Sequence, residues 1–215
     1  TISLATASVA SKPRFKVSII IPVFNKLELT SQCLTTLASL PTMPEYEVIV
    51  VDNASSDGTA EFLATLGGDV QVIRNPENYG FAVACNQGAK AARGAFLLFL
   101  NNDTIPTAGW LNALVDEVER HPDVGVVGSK LLYEDGTIQH AGVAFSRAVL
   151  LPYHIYRQFP ADSPMVNRRR EFQCVTGACM LVRREVFEQV GRFDEGFKNG
   201  FEDVDLCLKI REQGW

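Results

Sequence analysis

The run Ala95-Phe-Leu-Leu-Phe-Leu100 passes without a break into Asn101-Asn102-Asp103. Six consecutive apolar residues suit a short strand covered on both faces, the kind found in parallel sheets. Three polar, turn-forming side chains follow at once. An acid and two amides at the end of a buried strand occupy the position where open α/β sheets bind their ligands.

Reading toward the N-terminus gives the same pattern three more times. Val17-Ser-Ile-Ile-Ile21 is a β-branched run closed by Pro22, Tyr46 to Val51 is a second strand ending at Asp52-Asn53, and Val70 to Arg74 is a third. Between them, Leu27, Leu34, Leu37 and Leu40 recur at near-helical spacing and stop before Pro41. Ser56-Asp57-Gly58-Thr59 opens a helix through Leu66 that Gly67-Gly68 closes, and Phe81 to Ala92 is a helix of small residues. This β-α-β-α-β-α-β order predicts a Rossmann-like, mainly parallel central sheet flanked by helices. Asn25, Asp52-Asn53 and Asn101-Asn102-Asp103 then gather at the carboxyl ends of three strands, and three polar clusters on one edge mark a site.

The second half is less regular and predicts a smaller mixed region. A helix is expected over Trp110 to Arg120 and strands over Val124 to Val127, Ile138 to Phe145 and Phe172 to Val175. Ser146 to Arg170 reads as a long irregular loop with three prolines and the triplet Arg168-Arg169-Arg170, a solvated face. A last amphipathic helix runs from Glu202 to Gln213, with Val204, Leu206, Leu208 and Ile210 available to a core. Residues 1–15 read as a flexible leader rich in Ser, Thr and Ala, and 16–215 as one domain. The stop at Gly214-Trp215, with no polar tail, suggests a C-terminal truncation.

The bulk properties agree with one folded α/β domain. Of 215 residues 47% are hydrophobic and 21% charged, and the length suffices to bury a core without disulfides or a structural metal. A net charge of -5 argues against a general nucleic-acid-binding face. An acidic protein that binds a polyphosphate needs local compensation, from a divalent cation or a helix N-terminus. The five cysteines are scattered, with no CxxC pair, and read as reduced thiols of a cytoplasmic protein. Neither a signal peptide nor a membrane-spanning run is present, which leaves membrane association to a segment outside this sequence.

Two acidic groups carry the chemistry. Asp103 is placed to hold Mg²⁺ or Mn²⁺ against phosphate oxygens, because such cations take hard oxygen ligands. Glu202-Asp203, with Asp205 two residues on, opens the last helix, where the dipole favours carboxylates. The aromatic Phe193, Phe197 and Phe201 nearby suggest a pocket wall, in which a carboxylate can act as general base toward a hydroxyl.

Five segments together resemble the family-2 glycosyltransferases of GT-A fold: Val17 to Asn25, Val51 to Thr59, Asn78 to Gly88, Phe99 to Thr104 and Gly200 to Leu208. Their order and spacing match over about residues 17 to 215. The resemblance implies that Pro22, Val23 and Phe24, with Asn25 beyond them, wall the nucleotide base, and that Asp52 accepts its imino hydrogen. It implies that Asn78, Gly80 and Asn86 approach ribose and diphosphate, and that Asn101-Asn102-Asp103 is a DxD-like motif. In that motif Asp103 would be the metal ligand and Asn102 would lie near the donor sugar. Asp203 would be the catalytic base, Glu202 its neighbour, and Gly177 and His140 would lie on the acceptor side. The implied reaction is an inverting transfer from a nucleoside-diphosphate sugar to a sugar, lipid-linked or protein acceptor, in polysaccharide or glycolipid synthesis.

Three departures stand out: Asn101 where the motif has its first acid, Asp-Asn after the second strand where Asp-Asp is common, and no histidine beyond the last helix. A sugar-nucleotide pyrophosphorylase would carry a Gly-rich basic loop where Pro-Val-Phe-Asn-Lys stands, and a Rossmann dehydrogenase would carry GxGxxG. The rival from another class is a catalytically silent nucleotide-sugar-binding domain, against which the intact Glu202-Asp203 pair argues. The phrase Leu-Asn-Asn-Asp-Thr leans toward enzymes that transfer deoxyhexoses such as rhamnose.

Overall fold

The computed structural model describes residues 15–41, 44–68, 70–148, 151–198 and 200–215. The expected leader therefore falls outside the described residues except for Phe15, which already belongs to the first strand. The first half follows the expected alternation: β1 (Phe15–Val23), α1 (Leu27–Ser39), β2 (Tyr46–Asp52), α2 (Thr59–Leu63), β3 (Val70–Arg74), α3 (Phe81–Ala91), β4 (Gly94–Leu100) and α4 (Trp110–Arg120). The second half holds β5 (Val126–Gly128), β6 (Leu131–Leu132), β7 (Ile138–His140), β8 (Val143–Phe145), β9 (Pro152–His154), β10 (Cys179–Arg183), α5 (Arg184–Gln189) and α6 (Glu202–Glu212).

Six strands form the main sheet in the order β3-β2-β1-β4-β10-β5. The first four are parallel, while β10 runs antiparallel to both β4 and β5. Alternation along β1 divides the core. Val17, Ile19 and Ile21 point to one face, where Leu34 and Leu37 of α1 and Leu111, Leu114 and Val118 of α4 cover them. Ile20 points to the other, against Ala84, Cys85 and Ala89 of α3 and within the cluster that includes Leu206 and Ile210 of α6. Gly88 lets α3 lie close, since a Cβ there would stand 2.4 Å from Ile20 Cγ2.

At the amino end of the sheet a buried polar cluster ties three strands together. The Ser18 hydroxyl donates to Glu47 Oε1 at 2.7 Å and accepts from Gly94 N at 2.8 Å. Arg93 donates to the same carboxylate from its backbone at 2.6 Å and from Nε at 2.8 Å. A buried carboxylate is tolerated where each oxygen finds such donors.

The second half corrects the sequence reading in several places. Phe172 to Val175 is no strand; only Cys174 pairs, in an isolated bridge to Val143. Ile138 to Phe145 is two strands, parted by Gly142 at φ +116, where a Cβ would meet the Phe172 ring at 2.5 Å. The strand expected from Val124 begins at Val126, and the loop Ser146 to Arg170 contains β9. Leu208 lies at the surface of α6, while Leu206 and Ile210 enter the core as expected. β10 and α5 were not foreseen at all. Cys-Met-Leu-Val is buried on both faces between β4 and β5, so it has no alternation to betray it. No helix among the described residues is long and apolar enough to cross a membrane.

Candidate functional site

The carboxyl edge of β1, β2 and β4 brings the expected polar clusters together. Beyond β1 the chain turns through Asn25 and Lys26, both with positive φ, and Ala54 does the same beyond β2. Such backbone is costly for residues with a side chain and persists where neighbours hold it. Here two loops hold each other: Asn25 N donates to Ser55 Oγ at 2.7 Å, Ser56 N to Asn25 Oδ1 at 2.8 Å, and Leu27 N to Asp57 Oδ2 at 3.1 Å. The side chain of Val23 is packed into the core, whereas Phe24 is 49% exposed at the rim. Pro22 is half-buried between them.

Asp52 is 1% exposed. Its Oδ1 accepts from Ser55 N at 2.9 Å, but Oδ2 has no hydrogen-bond donor; the nearest cation is Arg74 Nε at 3.6 Å. A buried carboxylate oxygen left short of a donor is expensive in the free protein and is a binding position for an incoming N–H. Arg74, at the end of β3, was missed by sequence reasoning; it reads as an ordinary surface arginine until the register Asp52↔Arg74 is known.

Asn53, of the expected Asp52-Asn53 cluster, and Asn75, which was unforeseen, link this edge to α3. Asn53 Nδ2 donates to Gly80 O at 3.2 Å, and Asn75 Nδ2 reaches both Asn53 Oδ1 and Gln87 Oε1 at 2.8 Å. Asn78 Oδ1 accepts from Gly80 N at 2.9 Å, and Gly80 enters α3 at φ +87, with Lys198 O 3.3 Å from where a Cβ would stand. Asn86 reaches across to the segment ahead of α6. Its Nδ2 donates to Phe193 O and Glu195 Oε1, both at 2.9 Å, and its Oδ1 accepts from Phe193 N. These bonds tie the amide to the segment leading to α6.

After β4, Asn102 Nδ2 donates to Thr30 Oγ1 at 2.9 Å, and Thr104 Oγ1 to Asn101 O at 2.8 Å. Asp103 is exposed, and its carboxylate has no hydrogen bond or ion pair within the described chain. No group of three or more His, Cys, Asp or Glu side chains converges among the described residues. One free carboxylate beside amide oxygens fits a hard cation whose remaining ligands are diphosphate oxygens and water. It does not fit a metal held by protein alone.

The turn 176–178 connects this loop to α6. Asn101 N donates to Ala178 O at 3.0 Å, and Gly177 N to Asp203 Oδ2 at 2.8 Å. Gly177 permits the approach, since a Cβ would stand 3.3 Å from that of Asp203. Phe201, at φ +72, points the chain into α6, where Val204 N donates to Asp203 Oδ1 at 2.8 Å. Glu202 is buried, and its Oε2 has no partner. Burial first, then the neighbouring Asp203 charge, raises the Glu202 pKa above the ordinary glutamate range.

His140 supports the turn from beneath. Its Nε2 lies 3.5 Å from Thr176 N, and its Nδ1 3.3 Å from His154 Nδ1. Burial, with a smaller contribution from His154, lowers its pKa to about 3, so His140 is a neutral acceptor. The structure thus unites Asp52 with Asn25, and Asn101 with Gly177, Asp203 and His140. Two cavities, of about 940 and 780 Å³, lie elsewhere, between α1 and α2 and beside β5.

Residues 18–191 match the sequence signature described as Glycosyl transferase family 2. The chain is 36% identical over 93% of its length to the O-antigen biosynthesis protein RfbC of Myxococcus xanthus, of which it spans 16%. It is 28% identical over 82% of its length to an N-acetylglucosaminyl-diphospho-decaprenol L-rhamnosyltransferase of Mycobacterium tuberculosis, of which it spans 64%. The chain thus spans less than two thirds of the length of either relative. Among solved structures, the mannosyltransferase PcManGT of Pyrobaculum calidifontis, in complex with GDP-Man and Mn²⁺, superposes with a TM-score of 0.64 at 23% identity. That superposition covers 97% of this chain and 56% of the other. At that identity the likeness is one of fold.

Proposed function

The chain belongs to glycosyl transferase family 2 and has the GT-A fold, and from that premise we propose an inverting transfer of a sugar from a nucleoside diphosphate to an acceptor hydroxyl. The observation that carries the reading is the link Asn101–Ala178 and Gly177–Asp203, which holds a carboxylate beside the strand end that bears Asp103. Donor-side and acceptor-side groups then face one reaction centre.

Asp52 Oδ2 receives the imino N–H of the base. With the Arg74 guanidinium beside it as a donor to a ring carbonyl, the pair suits uracil or thymine. Asp103, with the oxygens of Asn101 and Asn102, would hold Mn²⁺ or Mg²⁺. That cation would supply charge neutralisation on the departing diphosphate.

Gly177 N fixes the Asp203 carboxylate while each oxygen keeps a second lone pair. An acceptor hydroxyl gives its proton to Asp203 as its oxygen bonds to the anomeric carbon. The bond from that carbon to the diphosphate breaks on the opposite side, which inverts the centre. Glu202 holds an unpartnered oxygen at the same helix start, available to a sugar hydroxyl.

The similarity to proteins of O-antigen synthesis and rhamnosyl transfer supports a polysaccharide or lipid-linked acceptor and favours rhamnose as the transferred sugar. Calorimetric titration of UDP, dTDP and GDP with and without Mn²⁺ tests the reading. A pyrimidine nucleotide should bind more tightly with metal, and Asp103→Ala should erase that gain. Binding of GDP alone, or of no nucleotide with or without metal, would contradict it.

A further inference from the structure

The covered face of α1 is apolar except near its start. Thr30, Cys33, Leu34 and Leu37 are its buried residues, at the i, i+3, i+4, i+7 spacing of a helix stripe turned to a core. Thr30 is fully buried, and a hydroxyl in such a place needs a polar partner. That partner comes from the loop after β4, where Asn102 Nδ2 donates to Thr30 Oγ1 at 2.9 Å. One turn further along α1, Cys33 Sγ lies 3.8 Å from Thr104 Oγ1 and 4.0 Å from Asn101 O. Residues 101–104 therefore rest on α1 as on a shelf.

Thr30 is itself placed by the end of β1. Its N–H donates to Lys26 O at 3.0 Å and closes the first turn of α1, directly after the positive-φ pair Asn25 and Lys26. The shelf takes up some polar groups of the loop and leaves others. Asn101 O accepts from Thr104 Oγ1 at 2.8 Å, and Asn102 Nδ2 is held by Thr30. Asn102 Oδ1 and the Asp103 carboxylate have no hydrogen bond among the described residues. With asparagine at both 101 and 102, this loop holds a single carboxylate, so an amide oxygen has to extend the protein's share of hard ligands.

We propose that Thr30 is a positioning residue for the donor: its hydroxyl holds Asn102 by the nitrogen and presents Asn102 Oδ1, with the Asp103 carboxylate, to the divalent cation of a nucleoside diphosphate. The inference rests on the glycosyl-transfer reading and names what orients the loop's neutral ligand. When Oδ1 serves a cation, the amide nitrogen at the other end still needs an acceptor, and Thr30 Oγ1 is that acceptor. A valine at position 30 would set a methyl group against the nitrogen instead.

The test is calorimetry of UDP and dTDP with and without Mn²⁺, which gives the metal-dependent gain in nucleotide affinity. Thr30→Val keeps the shape and loses the acceptor. It should cut the gain about tenfold, the low end for loss of a group that orients a metal ligand, and leave metal-free affinity unchanged. Thr30→Ser should restore the gain. In an Asn102→Ala background Thr30→Val should cost nothing further, because the amide it serves is gone. An undiminished gain in Thr30→Val, or an equal loss with and without Asn102, overturns the role. So does a fall in metal-free affinity as large as the fall with metal, which would make Thr30 part of the packing alone. Asn102→Ala, at a half-buried loop residue, should itself lower the gain at least tenfold; an undiminished gain there overturns the role however Thr30→Val folds. No gain in the native chain overturns the donor-site reading and this role together, whereas a native gain untouched by Thr30→Val overturns this role alone.

Discussion

The two halves of the molecule place their functional side chains by different means. From Phe15 to Leu100, side chains arrive at the site because strands end: β1, β2 and β4 share one register, so Asn25, Asp52 and Asn101 come out on one edge. From His121 onward the strands are two to five residues long, and position is set by single hydrogen bonds between distant segments. Asp203 is held by Gly177, Gly177 stands on a turn propped by His140, and Phe193 is clasped by Asn86. A sheet edge places groups collectively and tolerates the loss of one contact. A chain of pairwise ties does not. The difference predicts that damage to the second half falls on turnover or on folding, and damage to the first half on binding.

The largest effect should come from Asp203→Asn. It keeps the shape and an oxygen for Gly177 N, but removes the base, and steady-state turnover should fall by about 10²–10⁴-fold. Nucleotide affinity measured by calorimetry should not move; if it does, the two halves are not separate. Asp52→Asn is the counterpart in the first half. It should weaken nucleotide binding by about 1.5–3 kcal/mol, the range for a charged hydrogen bond, with turnover at saturation nearly intact. Asn86→Ala should lower the unfolding free energy in urea by about 1–3 kcal/mol, because a buried carbonyl and amide of Phe193 lose their partners. A drop in nucleotide affinity at unchanged stability would instead restore Asn86 to the ligand.

The remaining effect concerns pH. The His140 pKa is near 3 in the folded chain and near 6.5 when unfolded, so below pH 6.5 only the unfolded chain takes up the proton. Stability is full above pH 6.5 and declines as the pH falls toward 3, by at most about 1.4 kcal/mol per unit from this residue. Urea titrations from pH 7 to 4 should show a shallower decline in His140→Gln. An unaltered slope would mean that His140 titrates normally and does not prop the turn as a neutral acceptor.

The same contrast governs what the sequence discloses. Residues 17 to 100 could be read because burial on both faces leaves unbroken β-branched runs, and Asn and Asp mark their ends. The resemblance in five segments supplied Asp103 and Asp203, which no periodicity would have singled out. β10 escaped because four apolar residues after a Gly turn fit a strand or a helix equally, and only pairing with β4 and β5 decides. Arg74 and Asn75 escaped because their significance lies in partners far away in the chain. The partners of Asn86, Phe193 and Glu195, lie more than a hundred residues on, where no local pattern could point to them.

The Glu47 cluster stands at the opposite end of the strands from every group named above. Ser18, Glu47, Arg93 and Gly94 bind β1, β2 and β4 to one another at their amino ends, with hydrogen bonds of 2.6–2.8 Å in a dry setting. Mechanically, the sheet behaves as a set of cantilevers: clamped at one end and loaded at the other. Compliance then collects at the free tips, where the loops can adjust while the strands keep their order. Loosening the clamp would therefore be felt first as a broadened choice of ligand, with the loss of the fold coming only later.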